Sequence, residues 1–194
     1  MVGPTTFGYQ VSGFGAGGAD LGRLELIDTQ TVSSVANVDF ESIKETIYNV
    51  HLLTINNLDY SSDQETINIR FTNDGGTSYE SSGYHYDSQR NVVDIGSLQI
   101  QSTSSSTIEL TRLTSNATNE MSNGYVYLYN LGDSSKYKYT THMLTGIYYT
   151  GEYYSVYGAG AYAVAETVNG IRILDSGGGG TLSATMSLYG IKES

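Results

Sequence analysis

The chain has no cysteine, no tryptophan and a single proline, and its nine lysines and arginines are outnumbered by twenty aspartates and glutamates over 194 residues. Without cysteine there is no disulfide, thiolate metal site or cysteine nucleophile, so packing and strand pairing must supply the stability. A formal net charge of -11 repels phosphate backbones, and the few cationic residues are scattered, which argues against a nucleic-acid partner. No apolar run approaches the ~18 residues that span a bilayer, so membrane insertion is not expected. The first thirty residues show no basic segment leading into an apolar one, and the expectation is a soluble protein without an export signal. The length fits one domain, with or without an arm.

What is abundant is tyrosine, at 18, and glycine, at 23. Tyrosine, threonine, valine and isoleucine favour pleated, half-buried strands, and glycine supplies the positive-φ turns between them. The composition is that of an all-β protein. Tyrosine also offers a wide amphipathic face at low entropic cost, suited to contacts with proteins or sugars, although most of the rings are expected between sheets.

Residues 1–22, "MVGPTTFGYQVSGFGAGGADLG", are glycine-rich without a hydrophobic period and read as an N-terminal arm, with Phe7, Tyr9 and Phe14 as the rings it would dock on a neighbour. Residues 23–194 read as the folded domain. "LELIDTQTVSSV" and "VDFESI" begin the strands, and "YNVHLLTINNL" is apolar on both faces, as a central strand is. "ETINIRFT" alternates most cleanly, with Ile67, Ile69 and Phe71 on one face and Asn68, Arg70 and Thr72 on the other; it runs into the turn signal Asn73-Asp74-Gly75-Gly76. "NVVDIGSLQI" and "IELTRL" read as strands around a Ser/Thr loop, and "YVYLYNL" places Tyr125, Tyr127 and Tyr129 opposite Val126 and Leu128. A long aromatic hairpin spans 136–166, and "GIRILDS" and "TLSATMSLYGI" close the chain. In the last, Leu182, Ala184, Met186, Leu188 and Gly190 should face the core while Ser183, Thr185 and Ser187 face water. Nine to eleven short strands without a helical period predict an antiparallel β-sandwich of jelly-roll type.

The chemical motifs are sparse. Gly13 to Gly18 satisfies G-x-G-x-x-G, but no strand precedes it and no helix follows, so no dinucleotide site is expected. Gly177 to Gly180 lacks the Lys-Ser/Thr of a phosphate loop. His51, His85 and His142 lie in separate segments without zinc-ligand spacing. Asp74, Glu80 and Asp87 sit in oxygen-rich stretches without the register of a calcium loop, and Asn116-Ala117-Thr118 is a glycosylation sequon that matters only in a secretory pathway. No cofactor, metal or catalytic residue is expected, and the protein reads as non-enzymatic.

Three stretches, "VSSVANVDFESIKETIYNVHLLTINNL", "INIRFTNDGGTSYESSGYHY" and the terminal "GTLSATMSLYGIKES", resemble in their order the β-rich module of bacteriophage tail-fibre and other virion-surface proteins. The resemblance spans residues 32–192 and is weakest in the middle third. It implies a structural protein on the virion surface, made in the host cytoplasm, whose partners are other virion proteins, copies of itself in a homo-oligomer expected to be a trimer, and a cell-surface saccharide. As a tail-fibre or adhesin tip it would stack sugar faces on Tyr148, Tyr149, Tyr153, Tyr154 and Tyr157. Only about 22 residues precede the module, so the alternative is a capsid decoration protein that clamps neighbouring subunits through its arm. A virion-borne carbohydrate-active enzyme is the third possibility and would need two converging carboxylates.

Overall fold

The computed structural model describes residues 23–175 and 179–192. The arm expected at 1–22, with Phe7, Tyr9 and Phe14, lies outside them. Twelve strands are formed: β1 (Arg23–Val35), β2 (Asn37–Phe40), β3 (Val50–Tyr60), β4 (Ile67–Thr72), β5 (Tyr84–Val92), β6 (Gly96–Ser105), β7 (Ile108–Glu109), β8 (Ser122–Tyr129), β9 (Lys138–Ile147), β10 (Tyr153–Tyr162), β11 (Gly170–Asp175) and β12 (Leu182–Lys192). They make two antiparallel sheets, ordered β1-β12-β3-β8-β9-β10-β5-β6 and β2-β11-β4-β7. The chain is thus all-β and antiparallel, as its composition requires. Early strands pair with late ones: β1 and β3 flank β12, β2 and β4 flank β11, and β5 lies against β10. The split of eight strands and four departs from the eight-stranded double sheet of a simple jelly roll.

Inward side chains of both sheets merge into a main apolar cluster, and Val92, Tyr148, Tyr154 and Val156 form a second, smaller one. The alternation in β4 sends Ile67, Ile69 and Phe71 fully into the main cluster, where they meet Leu53 and Ile55 of β3 and Leu182, Met186 and Leu188 of β12. Each such side chain contributes about 1.5–3 kcal/mol through removal from water. The other face of β4 is not simply solvated, because Asn68 and Thr72 are also buried. Asn68 accepts from Thr107 Oγ1 at 2.8 Å and donates to Thr66 O at 2.9 Å, and Thr72 Oγ1 donates to Asp74 at 2.7 Å, so the buried polar groups are satisfied. Phe71, Tyr84 and Tyr162 form an aromatic knot with ring centroids 5.0–5.9 Å apart, and the Tyr84 hydroxyl accepts the Phe71 amide at 2.9 Å.

The register of β12 follows its pattern, with Leu182, Ala184, Met186 and Leu188 buried. Ser187 departs from expectation: it is only 8 % exposed, and its hydroxyl lies 2.9 Å from Thr29 Oγ1. The reason is position. β12 is an interior strand, so its outward side chains are flanked by those of β1 on one side and β3 on the other. Two turns also differ from the sequence reading. Gly75 and Gly76 do adopt positive φ, at 71° and 88°, but the turn carries the chain from one sheet to the other, since β4 pairs with β11 and β7 and not with β5. "NVVDIGSLQI" is two strands: Asp94 at φ 62° and Gly96 at φ 107° turn the β5–β6 hairpin, leaving Val93 and Ile95 more than half exposed.

Candidate functional site

The outer face of the large sheet carries the surface features from which a site can be built. Along β9 burial alternates without a break, so Lys138, Thr140, His142 and Leu144 point inward and Tyr139, Thr141 and Met143 point to solvent. Register aligns the outward residues of neighbouring strands into rows. One row runs Leu26, Tyr189, Leu52, Tyr127, Thr141 and Ala159 before reaching Asp87, and the next runs Leu24, Ile191, Val50, Tyr129, Tyr139 and Ala161 before reaching His85. Antiparallel sheets that face water on one side are normally polar there. On this one the Leu24 and Leu26 rows are mostly apolar or aromatic, the Thr29 and Thr31 rows carry hydroxyls and amides, and the charged side chains lie toward the β5–β6 end.

Where the apolar and polar parts meet, a groove forms over β10. Its floor is the small-residue run Gly158-Ala159-Gly160-Ala161, too short in side chain to fill the space between taller neighbours. Tyr139, 47 % exposed, stands on one side; His85, Asp87, Gln101 and Thr103 stand on the other, around a space of about 740 Å³. A second hollow of about 580 Å³ continues it toward Tyr157, Gln89 and Gln99, sharing Asp87 and Ala159. A third, of about 500 Å³, lies beyond Tyr139 against Asn130, Lys136 and Tyr137. Tyr139 is thus a ridge with a hollow on either side. The glycines are required from below: a Cβ at Gly160 would come within 2.7 Å of Ile108, and one at Gly158 would collide with Ser88 Oγ. Interior packing therefore fixes the floor at its shallow height.

The polar wall is pre-ordered. Gln99 Nε2 donates to both Asp87 oxygens at 2.9 and 3.1 Å and to Gln101 Oε1 at 3.2 Å, linking the carboxylate and the two amides. Such planar acceptors and donors match vicinal hydroxyl pairs, and a tyrosine ring across the groove matches the C–H face of a pyranose. Lys136, at the far hollow, is held 2.8 Å from Asp133, so its charge is compensated. Asp87 is left as the dominant charge of the main groove, which disfavours anionic sugars.

Beneath the floor, Ser88 Oγ and His142 Nε2 are 3.2 Å apart. Both side chains are buried, and burial pulls the imidazole pKa down to about 4, so the ring is neutral at neutral pH. Among the described residues its Nδ1 has no hydrogen-bond partner, so none of them supplies the carboxylate that orients the histidine of a nucleophilic triad. Among the described residues no group of three or more histidines, aspartates and glutamates is placed to hold a metal ion.

The tyrosines picked from the sequence do not share one surface. Tyr154 is fully buried, with its hydroxyl 2.9 Å from Ser122 Oγ, and Tyr148 is buried beneath the Arg90 guanidinium, 4.7 Å from the ring centroid. Neither can stack on a sugar. Tyr149 packs on Tyr148 at 4.6 Å and keeps partial exposure; Tyr153 and Tyr157 are about half exposed, and only Tyr157 borders the groove. Missed by the sequence reading were Tyr139, His85, Gln101 and the Gly-Ala floor. The signal for the floor was present in "YGAGAY", an alternation of the two smallest residues inside a strand. Compared with protein-family models, curated proteins and solved structures, the chain has no match in any of the three.

Proposed function

We propose that the chain is a non-enzymatic bacteriophage virion-surface protein, a tail-fibre or adhesin tip, whose groove over β10 binds neutral saccharides of the host surface. The observation that carries this reading is the pairing of the exposed Tyr139 ring with the Asp87–Gln99–Gln101 network across a floor of small residues. An open groove with one ring and a few planar polar groups recognises a sugar face and its hydroxyls, with affinity in roughly the millimolar range for a single site and gain from multiple copies. The virion assignment rests on the resemblance of the three sequence stretches. The first of them covers the end of β1, β2 and β3, the second β4 and the start of β5, and the third β12, so the resembling phrases fall in both sheets.

The experiment is titration of the full chain with neutral and anionic oligosaccharides, followed by intrinsic tyrosine emission, which no tryptophan obscures. Neutral glycans are expected to bind, with Tyr139→Ala reducing affinity at least tenfold and Tyr153→Ala leaving it unchanged. Binding that survives Tyr139→Ala, or a preference for sialylated glycans, contradicts the reading. Immunolabelling of phage particles tests the virion assignment separately.

A further inference from the structure

The part of the outer sheet face away from the groove has properties that sugar binding does not use. On β1, β12, β3, β8 and β9, four successive outward positions per strand, from the row of Leu24 to the row of Thr31, carry no charged side chain. The chain as a whole is 15 % charged, and surface strands concentrate charge, so an uncharged area of this extent requires a reason. Its Leu24 and Leu26 rows are largely apolar or aromatic, and the remaining rows are mostly uncharged hydroxyls and amides: Leu24, Leu26, Tyr125 and Met143 are 41–56 % exposed, and Tyr125, Tyr127 and Tyr129 form a continuous aromatic ladder with centroid separations of 5.7 and 6.4 Å. Contiguous exposed apolar and aromatic area of a few hundred Å² or more marks an interaction site.

We propose that this face is covered by a second copy of the chain, sheet against sheet about a two-fold axis. Two arguments select that occupant. The first is charge. A copy brings another net -11, and two such molecules can close only across a surface from which carboxylates are missing. The acidic residues lie elsewhere: Asp87 on β5, Glu25 toward the interior side of β1, Asp28 on β1 in register with the inward Leu188 and accepting from Gln30 Nε2, and Asp39 on the small sheet, paired with Arg172. The second is area. With strands ~4.8 Å apart and same-face residues ~6.8 Å apart, four positions on five strands, leaving Tyr139 to the groove, cover roughly 620 Å² per copy, or about 1,240 Å² in the pair, just inside the range of specific interfaces. An uncharged face whose residues can meet their own copies across a two-fold axis is what an isologous contact needs, whereas the trimer expected from the resemblance would need two different patches. The β10 groove and its polar wall stay outside the contact, with Tyr139 at the border, so each copy keeps its own groove.

Sedimentation velocity of the full chain between roughly 1 and 100 µM, a range set by the modest area, tests this. The expected result is a species of twice the chain mass whose population rises with concentration. Leu26→Lys and Met143→Lys sit near opposite edges of the face on side chains already about half exposed, so both should fold, with unchanged melting, and each should shift dissociation at least tenfold. Ser81→Lys, in the exposed loop before β5, should leave association as it was. A wild-type chain that stays monomeric at the top concentration, a trimer mass, or undiminished pairing of either face variant overturns the proposal. Saccharide binding to the groove is unaffected by any of these outcomes, so the two readings fail independently.

Discussion

Acidification should weaken this protein well before its carboxylates titrate, and His142 is the main cause. The ring is buried against Ser88 under the β9–β10 surface, and burial holds its pKa at about 4. An imidazole in the unfolded chain titrates near 6.5. Between those two values the unfolded state binds more protons, so stability is fully present above about 6.5 and falls as pH drops toward 4. The interval corresponds to ~3 kcal/mol at its end, and to about 1 kcal/mol between pH 7.5 and 5.5, which for a domain of this size moves the melting temperature by roughly 2–4 °C. His51 acts in the same direction, since burial lowers its pKa although Ile43 O lies 2.8 Å from Nε2. Glu65 acts in the opposite direction, because burial and the neighbouring Asp175 raise its pKa and favour the folded state at low pH. No other titratable side chain shifts the His142 pKa. The assay is urea unfolding of wild type and His142→Gln across pH 5 to 8. The two curves should diverge as pH falls, with wild type losing about 1 kcal/mol more by pH 5.5. A constant gap between them refutes the buried, neutral assignment of the ring.

Other perturbations have equally specific outcomes. Leu188→Ala removes a fully buried side chain and should cost about 3 kcal/mol, whereas Ser187→Ala, losing one hydroxyl contact to Thr29, should cost about 1 kcal/mol by chemical denaturation. Gly160→Val places carbon atoms into Ile108 from below and should destabilise by at least ~2 kcal/mol in thermal melts, while Ala161→Gly, on the outward side, should change stability by less than about 1 kcal/mol. Arg172→Lys gives up the paired hydrogen bonds to Asp39 at 2.6–2.7 Å and the stacking on Tyr79 at 3.8 Å, and a double-mutant cycle with Asp39→Asn should return a coupling of roughly 1 kcal/mol. Asp74, held down to about pH 2 by Ser78 and Thr72, should keep the β4 turn closed until pH falls below the ordinary carboxylate range, observable as late loss of amide protection at Ser78.

Strand existence was legible wherever alternation was driven by the core. β4, β8 and β12 lie where Ile67-Ile69-Phe71, Val126-Leu128 and Leu182-Met186-Leu188 put them, and β9 and β10 form the hairpin read at 136–166. What periodicity does not encode is which strand pairs with which. The crossing of the chain between sheets after Thr72 depends on long-range partners, and the Asp74-Gly75 turn looks the same in a hairpin and in a crossover. In "VVDIG" the apolar Val93 and Ile95 masked a turn that Asp94 and Gly96 specify. The site was harder to read for a related reason. Tyr148 and Tyr154 are chemically identical to Tyr139 and Tyr157 in sequence, and only the opposite phase of each strand separates core rings from exposed ones. The phase was available: Tyr154, Val156 and Tyr162 share one parity and Tyr153 and Tyr157 the other. The groove itself joins residues 85–104, 139 and 159–161, a juxtaposition made by sheet order alone.

The central claim is that the Tyr139 groove binds a neutral sugar, and amide chemical-shift mapping during titration with a neutral oligosaccharide tests it most directly. The account requires the largest shifts at Tyr139, at Ala159 to Ala161 and along Asp87 and Gln101, with Leu26, Tyr189 and Leu52 on β1, β12 and β3 little changed. Shifts centred away from β10, or none with any neutral glycan at tens of millimolar, a ceiling set by the weak single-site affinity expected of an open groove, contradict it.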